Sequence, residues 1–595
     1  MHLETVGGHP VLLSRGMPVP SFDTYTLQGP NRLYLDLGGS WAFRPDPSGE
    51  GGAQGWQRDG TLASGWTAEA VPQAIDEYAG RQYAFVDGYF WLRRSFVVPR
   101  SWHGRFVKLM VLGAGPTVDV WVNGVPVAHH EGATFPFAAD VTSALRYGGQ
   151  NAVAVRVHRR KWGTTNCSSL PPATYDWWPW AGILHEVFLE ATAACTVSKL
   201  VLRPSGGVLS GYAVVNNRAG RTEKGQLTLN PGAGTGGANI SVSCDIAPGS
   251  VATLPFAVRV PNAAAWSPAA PKVYTAEAFL SSGDALRSSW GMAGVQVEGT
   301  RLLMGGSPVF FKGVCWHMDY PGRGMAMTQT QFQNDLKLMR QGGINGIRLT
   351  HYPRPPYVYE QADQLGIALL DEVPNYWVPS SCLAQDLGVG SASRQAVQAM
   401  VWNAVNHPSV FGWSLCNESP TNSSLGSEWV RALAGEARDA DPLGRPVTFA
   451  SASRQGSRFS DLSFYQVDIL GVNMYFGMFY GNAGETGSAL DQLRSDYPGK
   501  PVLITESGNW AVKGRSGSGP GSEAYQADYL SGQWQQVAPR ADFVAGHMWF
   551  DYADYKSEHQ PQSAIPYVGT LGLLTRDRQP KESWHTYSSL TPPQP

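Results

Sequence analysis

A chain of 595 residues with 43% hydrophobic and 15% charged residues is globular and too long for one core; three or four domains are expected. Its net charge of -2 supplies no basic field for a nucleic acid, and no run approaches the roughly 18–20 apolar residues of a membrane span. The 21 tryptophans, 24 tyrosines and 22 phenylalanines suit either large aromatic cores or a carbohydrate binder, because aromatic faces pack on the C–H faces of sugars.

The N-terminus, MHLETVGGHPVLLSRG, lacks a basic region followed by a long apolar run, so the expected location is the cytoplasm. From about residue 20 to 192 short alternating strands follow one another. YFWLRRSFVV (89–98), RFVKLMVLG (105–113), TVDVWVNGVPVA (117–128), NAVAVRVHR (151–159) and ILHEVFLEA (183–191) are examples, and Asn123-Gly124 marks a hairpin turn. This rhythm predicts an antiparallel sandwich. A second β segment over residues 193–297, with TVSKLVLRP, GQLTLN, VATLPFAVRV and TAEAFLS as strands, has the size of one immunoglobulin-like sandwich. The six cysteines are far apart and form no C-x-x-C pair. That argues against a zinc ribbon or a disulfide framework and predicts reduced, buried thiols.

After residue 298 the rhythm changes. Eight short apolar runs alternate with helical patterns: VFFKGV, INGIRLT, IALLDE, SVFGWSLCNE, PVTFAS, ILGVNMY, PVLITE and FVAGHMWF. Continuous apolar runs belong to parallel strands covered on both faces. Thr328 and Gln331 have the spacing of a capping box, and Phe332, Leu336 and Met339 then share one helix face. Eight strand–helix units predict a TIM (β/α)8 barrel over residues 298–595.

In such a barrel the chemistry lies at the C-terminal ends of the strands. His317 and Asp319, Arg348 and His351, Asp371 and Glu372, Asn417 and Glu418, Tyr475, Glu506 and Trp549 all fall there. Two carboxylates in one mouth are what glycosidic cleavage needs, one protonating the departing oxygen and one attacking the anomeric carbon or activating water. Glu418 and Glu506 are the candidates; Asp371 and Glu372 read as partners of arginines within the barrel.

GVCWHMDYP (313–321), IRLTHYP (347–353), NHPSVFGWSLCNES (406–419) and ITESGNW (504–510) resemble the signature segments of glycoside hydrolase family 2, and YDWWPWAGI (175–183) and GLLTRDRQPK (572–581) extend the likeness over nearly the whole chain. The resemblance implies a jelly-roll-like sugar-binding domain (residues 1–192), an immunoglobulin-like sandwich and a catalytic barrel. It also implies roles: Glu418 as acid/base, Glu506 as nucleophile, Asn417 on the sugar 2-hydroxyl, Tyr475 orienting Glu506, and Arg348 keeping it ionised. Asp176 would reach in from the first domain to hold sugar hydroxyls, with His317, His351 and Trp549 lining the pocket. Duller readings stand beside these: His351 pinning a loop, Trp549 plugging the barrel, Asp176 capping a turn.

β-Glucuronidases of the family carry an Asn-x-Lys pair that grips the sugar carboxylate. The matching stretch here is Gly569-Thr570-Leu571, and an unpaired anion is costly to bury. The substrate expected from this departure is a neutral β-galactoside. The rival is a uronide whose carboxylate pairs with Arg354 or Lys513, and the rival outside enzymes is an inactive carbohydrate-binding protein. The Glu-x-His of the family's magnesium-dependent β-galactosidases is missing from DEVPNYWVP (371–379), so no cofactor and no required metal are expected. The expected partner is a glycoside, with neither nucleic acid nor membrane, and the sequence leaves room for a homo-oligomer.

Overall fold

The computed structural model describes residues 1–23, 31–58, 60, 64–78, 86–558 and 565–594. Its first sandwich sets a six-stranded antiparallel sheet against a four-stranded one, Phe137–Asp140, Phe106–Val111, Val187–Thr192 and Leu33–Asp36. The core between them is built from the inward residues of each alternating strand, such as Val118, Val120 and Val122 or Val153, Val155 and Val157. The hairpin at Asn123-Gly124 forms as the dipeptide demands, with φ of 52° and 80°. Residues 1–18 belong to neither sheet. They make a small three-stranded ribbon held by Tyr212 and Thr253 of the second sandwich, which donate to the Pro10 and Val6 carbonyls at 2.7 and 2.8 Å.

The second sandwich pairs a three-stranded sheet, Cys195–Ser205, Val208–Asn217 and Val251–Arg259, with a four-stranded one. Beyond it the eight apolar runs close into a parallel barrel: Phe311–Cys315, Gly346–Arg348, Ala368–Glu372, Val410–Asn417, Val447–Ser451, Leu470–Asn473, Val502–Ser507 and Val544–Trp549. Glycine at 346 and 546 makes room for Phe311, since a Cβ at either position would lie within 3.0 Å of that side chain. The helix Gln329–Gln341 starts with the expected capping box and buries Phe332, Leu336 and Met339. Among the described residues no helix is long and apolar enough to cross a membrane.

The thiol expectation fails at one place. Cys167, on the loop after strand Gln150–Arg159, is disulfide-bonded to Cys382 in the barrel helix Ser380–Asp386, across 215 residues of sequence. Sequence spacing carried no sign of the pair, because only the docking of the first domain on the barrel brings loop and helix together. The other four cysteines are buried free thiols. The same interface is stitched by Gln385 donating to Ser168 Oγ at 3.0 Å, by Arg323 donating to the Pro72 carbonyl at 3.0 Å, and by the Trp178 amide donating to the Lys556 carbonyl at 2.9 Å.

Candidate active site

The C-terminal ends of the barrel strands converge on one network centred on Arg348, the last residue of strand two. Its guanidinium donates to both Glu372 oxygens at 2.8 Å, to Glu506 Oε1 at 2.6 Å and to Asn417 Oδ1 at 2.8 Å. This fully buried cation therefore fixes three side chains from strands three, four and seven at once. Glu372 is its structural counter-ion. Burial works against that carboxylate's charge, but Arg348, His351 and Ser414 together hold it below its usual value.

Glu506, inside strand seven, has its second oxygen bound by the Tyr475 hydroxyl at 2.7 Å. Glu418 follows strand four directly and sits at φ 44°, a left-handed backbone that costs a non-glycine residue about 1–3 kcal/mol. Its amide donates to the Ala450 carbonyl at 2.9 Å. Its carboxylate receives Asn473 Nδ2 at 2.8 Å and Trp377 Nε1 at 2.9 Å. Burial pushes Glu506 up to about 8 against the pull of Arg348, with the nearby Glu418 charge adding to the rise. The Arg348 guanidinium and the Tyr475 hydroxyl, each bonded to one Glu506 oxygen, offset part of that burial cost.

Asn417 accepts from both Arg348 and Asn473 through Oδ1, which turns its amide nitrogen away from them. Asp176 arrives from the first domain. Its loop is anchored by Trp177, which stacks on His351 at 5.8 Å and meets Tyr352 and Tyr376 edge-on at 5.2 Å. Tyr555 donates to Asp176 Oδ2 at 2.9 Å, and burial, with Glu418 adding, raises this carboxyl to about 7. His317 lies against Tyr555 with ring centroids 4.0 Å apart. His351 pairs with Glu372 through Nδ1 at 2.8 Å. Burial lowers both histidines, His351 to about 4, so both imidazoles are neutral at pH 7.

Trp549 ends strand eight, is fully buried, and donates its indole N–H to the Leu571 carbonyl at 3.3 Å. Its ring meets Tyr529 edge-on, with centroids 6.2 Å apart. Arg354 is not a free cation at the mouth. Its guanidinium is buried and spent on the carbonyls of Trp316, Tyr352 and Thr350. Lys513 is exposed and bonds to Glu523 and to the Pro580 carbonyl.

Sequence reasoning missed Asn473, Trp377, Tyr376 and Tyr555, all in contact with the candidate carboxylates. Asn473 carried a signal, as the last residue of strand six. Trp377 and Tyr376 lie in the loop after strand three, where the aromatic pair gave no hint of its target.

Comparison with known proteins settles the family. Residues 295–592 match the glycosyl hydrolases family 2 TIM barrel domain, and residues 36–193 match the family's sugar binding domain. The chain belongs to glycoside hydrolase family 2. It is 29% identical to a β-glucuronidase of Paenibacillus borealis over 92% of this chain and 95% of that one. It is 26% identical to the β-glucuronidase of Sus scrofa over 94% and 90%. In fold it is similar to the β-glucuronidase of Ruminococcus gnavus, with a TM-score of 0.83 at 23% identity, covering 96% of this chain and 99% of that one. These family 2 relatives overturn the β-galactoside expectation. That expectation treated the loss of one cation-bearing pair as the loss of uronide specificity. The likeness to β-glucuronidases instead runs over both chains almost end to end.

Proposed function

We propose that this family 2 glycosidase is an exo-acting β-uronidase working with retention, with Glu506 as nucleophile and Glu418 as acid/base. The observation that carries the mechanism is the contrast between the two carboxylates. Glu506 is clamped by Arg348 and Tyr475, which favour its charged form against burial and aim it. Glu418 is held by two neutral N–H donors, from Asn473 and Trp377, and meets no guanidinium among the described residues, the setting of the group that exchanges a proton with the leaving oxygen. Glu506 attacks the anomeric carbon while Glu418 gives its proton to the departing oxygen. Water, deprotonated by Glu418, then releases the sugar. The two carboxyl groups should lie about 5–5.5 Å apart, as retention requires.

Asn417, with its amide nitrogen turned out of the Arg348 network, would donate to the 2-hydroxyl, an interaction that strengthens in the transition state. Asp176, His317 and His351 would hold hydroxyls of the terminal sugar, and Trp549 would support the wall beside Gly569–Leu571. The uronide reading draws on the β-glucuronidase relatives and on an R. gnavus homologue crystallised with D-glucaro 1,5-lactone. Arg348 is paired with Glu372 and Glu506, and the Arg354 guanidinium donates to three backbone carbonyls. Parallel rates on the nitrophenyl β-glucuronide, galacturonide, galactoside and mannoside test the reading. A uronide should be the fastest substrate; a neutral sugar turned over more than about tenfold faster would overturn it.

A further inference from the structure

Asp176, His317 and His351 each turn one ligand atom into the mouth, all within 4.8 Å of one another and all buried. They come from three separate elements: the first-domain loop, the end of strand one and the end of strand two. We propose that this triad binds one divalent transition-metal ion, zinc above all, and that the ion blocks the enzyme by sitting where the terminal sugar would bind.

The donor set is the first reason. Two imidazoles and one carboxylate with a fourth position open suit zinc and its neighbours in the series, whereas magnesium and calcium prefer oxygen alone. The supporting shell is the second. Metal-binding histidines characteristically hold their other ring nitrogen against a carboxylate. Here His351 Nδ1 meets Glu372 Oε1 at 2.8 Å, whereas His317 Nδ1 has Asp551 Oδ2 nearby at 3.6 Å, just outside hydrogen-bond reach. That leaves Nε2 of each ring for a ligand. Tyr555 steadies the third donor through Asp176 Oδ2.

The third reason is His317 itself. Its side chain is only 1% exposed, yet neither ring nitrogen has a hydrogen-bond partner among the described residues. Buried polar groups are rarely left so. A sugar hydroxyl or a metal ion would satisfy it, and the same nitrogen cannot serve both.

The distances allow binding with small movements. Ligands about 2.1 Å from a tetrahedral zinc lie about 3.4 Å apart, and His317 Nε2 now stands 3.9 Å from Asp176 Oδ1. The three donors stand within 4.8 Å of one another, so side-chain shifts of about 1 Å bring them onto one ion.

The test uses the full-length, tag-free, chelator-treated protein. Calorimetric titration with zinc chloride should show one site per chain. Cobalt(II) chloride should give the visible absorption of a low-coordinate site, bleached by equimolar zinc. His317→Gln and Asp176→Asn should each weaken zinc binding at least about tenfold while circular dichroism stays native. No zinc uptake by the wild type, or unchanged affinity in both variants, would overturn the proposal. These readouts need no substrate, so they stand apart from the uronidase reading. On whichever glycoside is turned over, zinc should raise KM and leave kcat unchanged, and a chelator should reverse the effect. Inhibition that lowers kcat alone would refute the shared position.

Discussion

Asn473 offers a sharp perturbation because its amide does three things at once. Nδ2 donates to Glu418 Oε1 at 2.8 Å and to Asn417 Oδ1 at 3.1 Å, and Oδ1 accepts from Thr505 at 2.8 Å. The bond to Glu418 strengthens as that carboxyl hands its proton to the leaving oxygen and becomes charged, so its loss falls on the transition state. A hydrogen bond to a charged group contributes about 1.5–3 kcal/mol, which predicts a loss of roughly ten- to a hundredfold in kcat/KM for Asn473→Ala. The assay is a series of β-glucuronides whose aglycones differ in basicity. An activated nitrophenolate needs little protonation and should lose least; an alkyl aglycone should lose most. An equal loss across the series would mean that Asn473 only supports the fold here, and the reasoning about Glu418 would fail.

Arg354→Met should leave the preference among nitrophenyl sugars unchanged while lowering stability by about 2–4 kcal/mol, because three buried carbonyls lose their donor; a selective loss on uronides at unchanged stability would show that Arg354 reads the carboxylate after all. Asp371, fully buried against the Tyr359 hydroxyl, is raised to about 7 by burial. Folding therefore favours its protonated form, and the stability this gives is full below about pH 4 and lost as pH rises towards 7. Asp371→Asn should remove that slope, so the variant gains on the wild type by up to about 4 kcal/mol between pH 4 and 8; denaturant unfolding at the two ends checks it, and parallel pH slopes would contradict it.

The barrel was legible because its strands are buried on both faces and so read as unbroken apolar runs, from Val309 to Phe550. The candidate carboxylates were legible for a related reason, since strand ends are the places where polar residues interrupt those runs. Asn473 and Trp377 were not, because their role lies in what they touch, and only barrel closure brings strand six and the loop after strand three against Glu418. Arg354 misled for the same reason. Its position after His351-Tyr352-Pro353 suggested the mouth, whereas the fold turns the guanidinium back onto three carbonyls. The Cys167–Cys382 bond depends on domain docking, to which local spacing is blind.

The role of Glu506 is open to direct capture. Incubation with a 2-deoxy-2-fluoro β-glucuronosyl fluoride, followed by peptide mass spectrometry, should find the sugar bonded to Glu506 in the segment ITESGNW, with turnover lost in step. A label on any other residue, or steady turnover of the reagent with no covalent species, would contradict the account.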